Sequence, residues 1–351
     1  MSRPTETDDP PLHARVLVTG CAGFIGSHLT EYLLSRGIAV RGVDAFTVFY
    51  ARETKKRNVN AVRDHPAFEL HRVDLSRDPL DTLLNGIDAV YHLAGQPGVR
   101  PSFGAGFSKY VRHNVEATQR LLEECVDRPI QAFVYASSSS VYGERPSFPT
   151  SEDAPREPVS PYGMTKKATE DLAGVYFRTH GIPVVGLRYF TVYGPRQRPD
   201  MAFNRFIGQL IAGHPVTVYG DGRQQRDFTY VDDVVRATTI AARRGSPGEV
   251  YNIGGGRQVV LLEALNLLGE ILERPVKIQY LPAAPGDVRA TGADGTRARK
   301  ILGFAPETSL HDGLIAQVAA VQREEPRRRR RIQRAFAVAD PDAQGTRAHG
   351  T

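Results

Sequence analysis

The stretch Val16-Leu-Val-Thr19-Gly20-Cys-Ala-Gly23-Phe-Ile-Gly26 decides how the rest of the chain is read. Three apolar residues and a threonine make a short buried strand, and three glycines at a spacing of three follow without a gap. Gly20 permits a tight turn, Gly23 lets backbone N–H groups approach a pyrophosphate, and Gly26 lets the next helix pack closely on the strand. Asp44 ends the next apolar run 18 residues past Gly26. A carboxylate there hydrogen-bonds a ribose 2′-hydroxyl and repels a 2′-phosphate, which favours NAD over NADP.

Working outward, β-branched runs at 15–19, 39–43, 69–72, 89–92, 132–136 and 184–188 alternate with helical patterns at 24–35, 110–126 and 162–179. That alternation predicts an α/β fold: a Rossmann-type doubly wound parallel sheet with helices on both faces. Beyond Gly194 the pattern becomes irregular, with strands at 216–219 and 249–252 and helices at 259–272 and 310–322. This portion reads as a smaller mixed α/β lobe that binds substrate and closes a cleft. The expected organisation is a polar N-terminus (1–13), a cofactor-binding domain (14–194, with 226–253 contributing), a substrate lobe (195–322) and a basic, disordered tail (323–351).

The chain has 351 residues, 41% of them hydrophobic and 24% charged, the balance of a soluble globular protein. Residues 1–13 lack the apolar core of a secretory signal, and no stretch approaches the ~20 apolar residues of a membrane span. Two cysteines are too few for a disulfide framework. No membrane partner and a cytoplasmic location are expected. Of the net charge of +6, residues 321–351 supply +4, from eight arginines against four acids. A basic tail can bind polyanions, but it reads here as a solvated terminus. The body shows no basic face, so nucleic acid is not an expected partner.

Tyr162-Gly-Met-Thr-Lys166 opens a predicted helix, where the i, i+4 spacing puts phenol and ammonium on one face. A cation near the phenol, together with an oxidised nicotinamide, favours the phenolate, which then serves as a general base. Upstream, the strand ending at Ala136 runs into Ser137-Ser-Ser-Ser140-Val-Tyr-Gly143. Hydroxyls at the carboxyl end of a central strand face the ligand cleft.

With His92-Leu-Ala-Gly95 and Arg188-Tyr-Phe-Thr-Val-Tyr-Gly-Pro195, these motifs resemble the extended branch of the short-chain dehydrogenase/reductase superfamily, the NAD-dependent sugar epimerases and dehydratases. The resemblance covers residues 14–320. It implies a catalytic set of Tyr162, Lys166, Ser138, Ser139 and Ser140, with Ser138 on the sugar O4. It implies a bound NAD on Gly20, Gly23, Phe24, Ile25, Gly26, Asp44, Asp74, Leu75, Leu93 and Ala94, with Tyr162 and Lys166 beside it. Arg226-Asp-Phe-Thr-Tyr230 and Pro285-Gly-Asp-Val-Arg289 resemble the family's nucleotide-diphosphate site, so Arg226 and Arg289 are expected on the phosphates. Arg100, Val216, Tyr219 and Asp287 complete the implied substrate set. The resemblance also implies a homodimer built on the 110–126 and 162–179 helices. Val115, Leu121, Leu122, Leu172, Val175 and Tyr176 suit either that interface or packing on the sheet.

Family members that dehydrate or decarboxylate resemble one another in an acidic residue two positions before the tyrosine of Val-Tyr-Gly. Ser140 stands there in this chain, which favours epimerisation. Asp44-Ala-Phe-Thr-Val-Phe-Tyr50, with Lys56 and Asn58 beyond it, is similar to a loop of the uronate epimerases. Thr191-Val-Tyr-Gly-Pro-Arg-Gln-Arg198-Pro-Asp-Met201 is similar to the segment with which they hold a carboxylate, although Arg196-Gln197 departs from its commonest form. Those roles fall on Thr191 and Arg198. The expected reaction interconverts UDP-glucuronate and UDP-galacturonate through a 4-keto intermediate. The alternatives are a UDP-glucuronate decarboxylase forming UDP-xylose or a 4-keto-pentose, and a neutral UDP-hexose 4-epimerase.

Overall fold

The computed structural model describes residues 13–145, 147–283 and 285–339, with side chains through Glu324. Strands β1 (Arg15–Thr19), β2 (Ala39–Val43), β3 (Phe68–His71), β4 (Ala89–His92), β5 (Ala132–Ser138) and β6 (Val184–Tyr189) form one parallel sheet. Between them run helices α1 (Phe24–Ser35), α2 (Arg52–Asn58), α3 (Phe107–Tyr110), α4 (Ala117–Glu123) and α5 (Pro161–His180). A π-helical segment, Val111–Glu116, joins α3 to α4.

The second part contributes β7 (Val192–Tyr193), α6 (Ala202–Ile211), β8 (Val216–Tyr219), β9 (Gln225–Asp227), β10 (Thr229–Tyr230) and α7 (Val231–Arg244). It continues through β11 (Val250–Ile253), β12 (Gln258–Val260), α8 (Leu261–Leu272), β13 (Ile278–Leu281) and α9 (Leu310–Ala339).

The sheet order is β11-β6-β5-β4-β1-β2-β3, the doubly wound arrangement, with its reversal of direction between β1 and β4. Thr19 pairs with Val43 on one side and His92 on the other, so these strand ends converge at the reversal. Alternation along β1 splits the core: Val16 and Val18 face α1 and α7, whereas Leu17 faces the α4–α5 side. β11 is the seventh strand, paired with β6, and α7 packs against α1, so part of the second half belongs to the first lobe. The smaller lobe has its own core of Phe203, Phe206, Leu210, Leu265, Leu268 and Leu314. No described helix is long and apolar enough to cross a membrane.

Three expectations need correction, and one open alternative is decided. The pattern at 259–272 starts as strand: Val259 pairs with Arg226, and the helix begins at Leu261. The 110–126 helix is interrupted by the π segment. The last helix does not stop at 322 but continues to Ala339, which suits the good helix propensity of arginine. Leu121 and Leu122 are fully buried against the sheet, and Val111, Met164 and Val175 are the exposed apolar residues of that face. Residues 1–12 and 340–351 of the expected polar termini lie outside the described residues.

Candidate active site

The carboxyl ends of β1, β2, β4, β5 and β6 surround a cavity of about 420 Å³. Its floor is the glycine turn. Gly20 has φ +70, and a Cβ at Gly26 would lie 2.1 Å from the Gly20 carbonyl oxygen, so neither position accepts another residue without a shift. No side chain caps α1 at Gly23, which leaves the first-turn N–H groups of Phe24 and Ile25 to an anion. Asp44 is buried at the end of β2. Its Oδ1 accepts from the Phe46 N–H (2.7 Å) and from Lys55 Nζ (3.0 Å), and no bond to Oδ2 is present among the described residues. Asp74, Leu75, Leu93 and Ala94 line the same end. The cradle therefore fits a dinucleotide with a free ribose hydroxyl.

At the other end, Ser138, Ser139, Ser140, Tyr162 and Lys166 line the cavity together. Ser160 caps α5 by accepting from the Gly163 N–H (3.1 Å), with Pro161 at the first helical position. Gly163 presses this helix start onto the serine turn, since a Cβ there would lie 2.4 Å from the Ser140 carbonyl oxygen. Ser140 N–H and the Ser140 hydroxyl both contact Ser138 Oγ at 3.1 Å.

Lys166 does not donate to Tyr162. Its ammonium donates to the Ala136 carbonyl (2.7 Å), and burial, opposed by Glu170, lowers its pKa to about 8. Burial pushes the Tyr162 phenol up, while the Ser138 hydroxyl and the Arg198 charge pull it down. The lowered phenol pKa expected from the sequence is thus not reached by the chain alone. His92, buried between Thr19 and Thr118, is held neutral by burial and by Lys166, with its pKa lowered to about 3.

Sequence reasoning missed two supports. Glu170 takes the Arg188 guanidinium on both oxygens (2.9 and 2.8 Å) and accepts from Ser137 Oγ at 2.5 Å. Arg188 in turn reaches the Tyr142 hydroxyl (2.7 Å), which donates to Asn252 on β11. This buried network fixes the serine turn to α5, β6 and β11. The i, i+4, i+8 series Tyr162, Lys166, Glu170 was a usable signal. Asn114, in the π segment, joins Gln96 and Thr165 (3.1 and 3.0 Å) and so ties the cavity wall to the residue before Lys166. A lone asparagine in a helical pattern gave no such signal.

Thr191 and Arg198 line the sugar end. Arg198 is held side-on by Asp200, Nε–Oδ1 3.0 Å and Nη2–Oδ2 2.8 Å, beside the Phe49 ring. Phe49 and Tyr50 line the cavity as the second-strand loop suggested. Lys55 also lines the cavity, Lys56 is exposed, and Asn58 donates to the Ala22 carbonyl.

The remaining substrate candidates sit outside this cavity. Arg100 pairs with Asp287 (2.6 Å) and stacks over the Tyr219 ring at 3.9 Å. Arg226 is spent on the carbonyls of Gln225 and Val288 (both 2.8 Å), and Arg289 is paired with Asp221 (2.7 and 3.0 Å). Val216 does not reach any ligand surface with its side chain, because it is fully buried in the second-lobe core.

Among the described residues that line the cavity, Asp44 and Asp74 are the only carboxylates, and both belong to the dinucleotide end. The sugar end therefore offers hydroxyls, a phenol, an ammonium and a guanidinium.

Residues 16–254 match the model of the NAD dependent epimerase/dehydratase family. The chain is 44% identical over 309 residues to an uncharacterized UDP-glucose epimerase, YtcB, of Bacillus subtilis, covering 87% of this chain and 97% of that protein. It is 40% identical over 307 residues to the UDP-glucuronate 4-epimerase of Thermodesulfobacterium geofontis, covering 85% and 93%. Its fold superposes with a TM-score of 0.86, at 44% identity, on the UDP-glucuronic acid 4-epimerase of Bacillus cereus in complex with UDP-glucuronic acid and NAD, covering 88% of this chain and 99% of that one. The sheet order, the glycine cradle and the serine–tyrosine–lysine cluster agree with those matches, and the chain belongs to the NAD-dependent epimerase/dehydratase family.

Proposed function

We propose that this protein is a UDP-glucuronate 4-epimerase that keeps NAD bound through turnover. The observation that carries the reading is that Arg198 and Thr191 line the same cavity as Ser138 and Tyr162, while the only carboxylates among its described lining residues, Asp44 and Asp74, belong to the dinucleotide end. Elimination across C5–C6 needs an acid or base placed at the sugar, and Ser140 supplies none.

NAD, held by the glycine turn, the α1 terminus and Asp44, supplies the group that removes the C4 hydrogen and later returns it. Tyr162 accepts the O4 proton as C4 becomes a ketone and gives it back on reduction, so proton and redox balance are both zero. Ser138 holds O4 through that exchange. The Lys166 ammonium, fixed on the Ala136 carbonyl, adds the positive charge that the phenolate needs.

The 4-keto-uronate is a β-keto acid and loses CO₂ when the C5–carboxylate bond aligns with the carbonyl π system. Arg198 and Thr191, gripping the carboxylate, hold it out of that alignment while the ring turns over. Arg100, Tyr219, Arg226, Asp287 and Arg289 form the nucleotide-diphosphate end. The domain reading is a cofactor unit of 14–194 joined by 226–253, with 195–322 as the sugar-nucleotide lobe, and a homodimer through the α4–α5 face.

Incubation with UDP-glucuronate, followed by NMR, tests this directly. UDP-galacturonate is the expected product, and Arg198→Ala is expected to raise the CO₂-to-epimer ratio. A UDP-pentose as the main product, or turnover of UDP-glucose alone, would replace the reading by one of its rivals.

A further inference from the structure

The loop that carries Arg198 has an unusual foundation. Arg196, two residues earlier, sits at φ +61, a left-handed conformation that a side chain bearing Cβ rarely adopts. Its guanidinium leaves the sugar lobe and docks on α1, with Nη2–Glu31 Oε2 at 2.6 Å and Nη1–Ser27 Oγ at 3.1 Å. His28, between those two on the same helix, meets the Pro195 carbonyl at 3.0 Å, and burial and Arg196 keep it neutral, its pKa lowered to about 4. Ser27 follows directly on Gly26, so the loop is fastened to the first two turns of the helix that begins at the dinucleotide cradle. Gln197 faces the other way and is buried against α9, its Oε1 accepting from Gln317 Nε2 at 2.7 Å.

We propose that Arg196 is a positioning residue that sets the Arg198 guanidinium relative to the cofactor by locking its loop to α1. This rests on the reading of Arg198 as the carboxylate clamp. A strained backbone held by a two-pronged side-chain contact has one low-energy arrangement. Without the contact the loop keeps its Gln197 anchor on the second lobe, and among the described residues a single bond between His28 and the Pro195 carbonyl still ties it to α1, which loosens its register to the nicotinamide end. The clamp is then free to shift as the two lobes move, and the substrate carboxylate can rotate into line with the C4 carbonyl. The bond from C5 to the carboxylate carbon then breaks, its electron pair enters the enolate, and a solvent proton completes a 4-keto-pentose. The hydride taken from C4 stays on the cofactor, which therefore accumulates in reduced form.

The test uses purified holoenzymes of wild type, Arg196→Gly, Arg196→Lys and Glu31→Gln. Glycine keeps the left-handed backbone accessible while removing the anchor, and lysine restores one of the two contacts. CO₂ release, UDP-galacturonate formation, reduced-cofactor absorbance and melting temperature are measured with UDP-glucuronate, and turnover is measured with UDP-glucose as the carboxylate-free control.

Arg196→Gly is expected to lose about tenfold in kcat/KM on UDP-glucuronate and to raise the CO₂-to-epimer ratio about tenfold, with reduced cofactor building up. Lysine should recover part of both effects, Glu31→Gln should fall between, and any UDP-glucose turnover should change less than about threefold. An unchanged ratio in all three variants, or an equal loss on both substrates, overturns the assignment of Arg196. A wild-type enzyme that leaves UDP-glucuronate unconverted overturns the functional reading itself.

Discussion

The catalytic lysine and the loop arginines of the site are held in opposite ways. At the sheet end, Lys166 is buried and donates to a backbone carbonyl. At the lobe end, each of Arg100, Arg198 and Arg289 is already held by a carboxylate, on Asp287, Asp200 and Asp221. The difference follows from what carries the residues. Strand ends and a capped helix fix Lys166 by packing and by the Glu170–Arg188 network, so it is held without a direct ion pair among the described residues. Loop-borne arginines are long and mobile, and a nearby carboxylate holds each in a defined place that an anionic ligand can share or take over.

The largest break in this comparison comes from the sheet end. Tyr162→Phe removes the proton acceptor and leaves shape and charge intact, so kcat should fall about a thousandfold with KM and bound cofactor nearly unchanged. A comparable fall in affinity would mean that the phenol binds rather than reacts.

Next in size is Glu170→Gln, which leaves the buried Arg188 without its counter-charge and should cost about 3 kcal/mol of stability in chemical denaturation. The same change sharpens the charge argument. Glu170 opposes the depression of the Lys166 pKa, so the ammonium should be lost at lower pH in the variant. In wild type, kcat should decline as pH rises through about 8, and in Glu170→Gln that decline should begin earlier. An alkaline limb that does not move would separate Glu170 from Lys166.

The smallest effect belongs to the exposed lobe end. Arg289 and Asp221 are 58% and 51% exposed, so Asp221→Asn should leave stability in chemical denaturation nearly unchanged. Freed from Asp221, Arg289 should bind UDP slightly more tightly, about two- to threefold by calorimetry. Weaker UDP binding would show that Asp221 orients the arginine rather than standing in for a phosphate.

The same contrast explains what could be read from the sequence. The cradle was legible because Gly20, Gly26 and Asp44 are fixed by local geometry within a single strand–turn–helix. Tyr162 and Lys166 were legible because helical spacing brings them to one face. Lys55 was not picked out because a one-residue step in a short helix turns the side chain by about 100°, and the loop before it gave no fixed phase. The pairing of Arg198 with Asp200 depends on side-chain placement within a loop, which no periodicity encodes. Val216 lies in a strand whose inward and outward faces are set by α6 and α8, elements contributed from before and after it. Glu170 becomes meaningful only once β6 places Arg188 beside it.

The late arrival of β11 has a consequence for synthesis on the ribosome. β6 is buried along its whole length only when Val250–Ile253 has paired with it. Roughly 60 residues separate the two strands, and at about 5–20 residues per second the nascent chain carries an unpaired apolar edge, Val184–Tyr189, for several seconds. Truncation anywhere before 250 would make that edge permanent. The two lobes are therefore not interchangeable cassettes: the seventh strand of the large one interrupts the small one, whose core joins Phe203–Leu210 from before β11 to Leu265, Leu268 and Leu314 from after it, and any fragment or fusion that cuts between β6 and β11 should be captured by chaperones or aggregate.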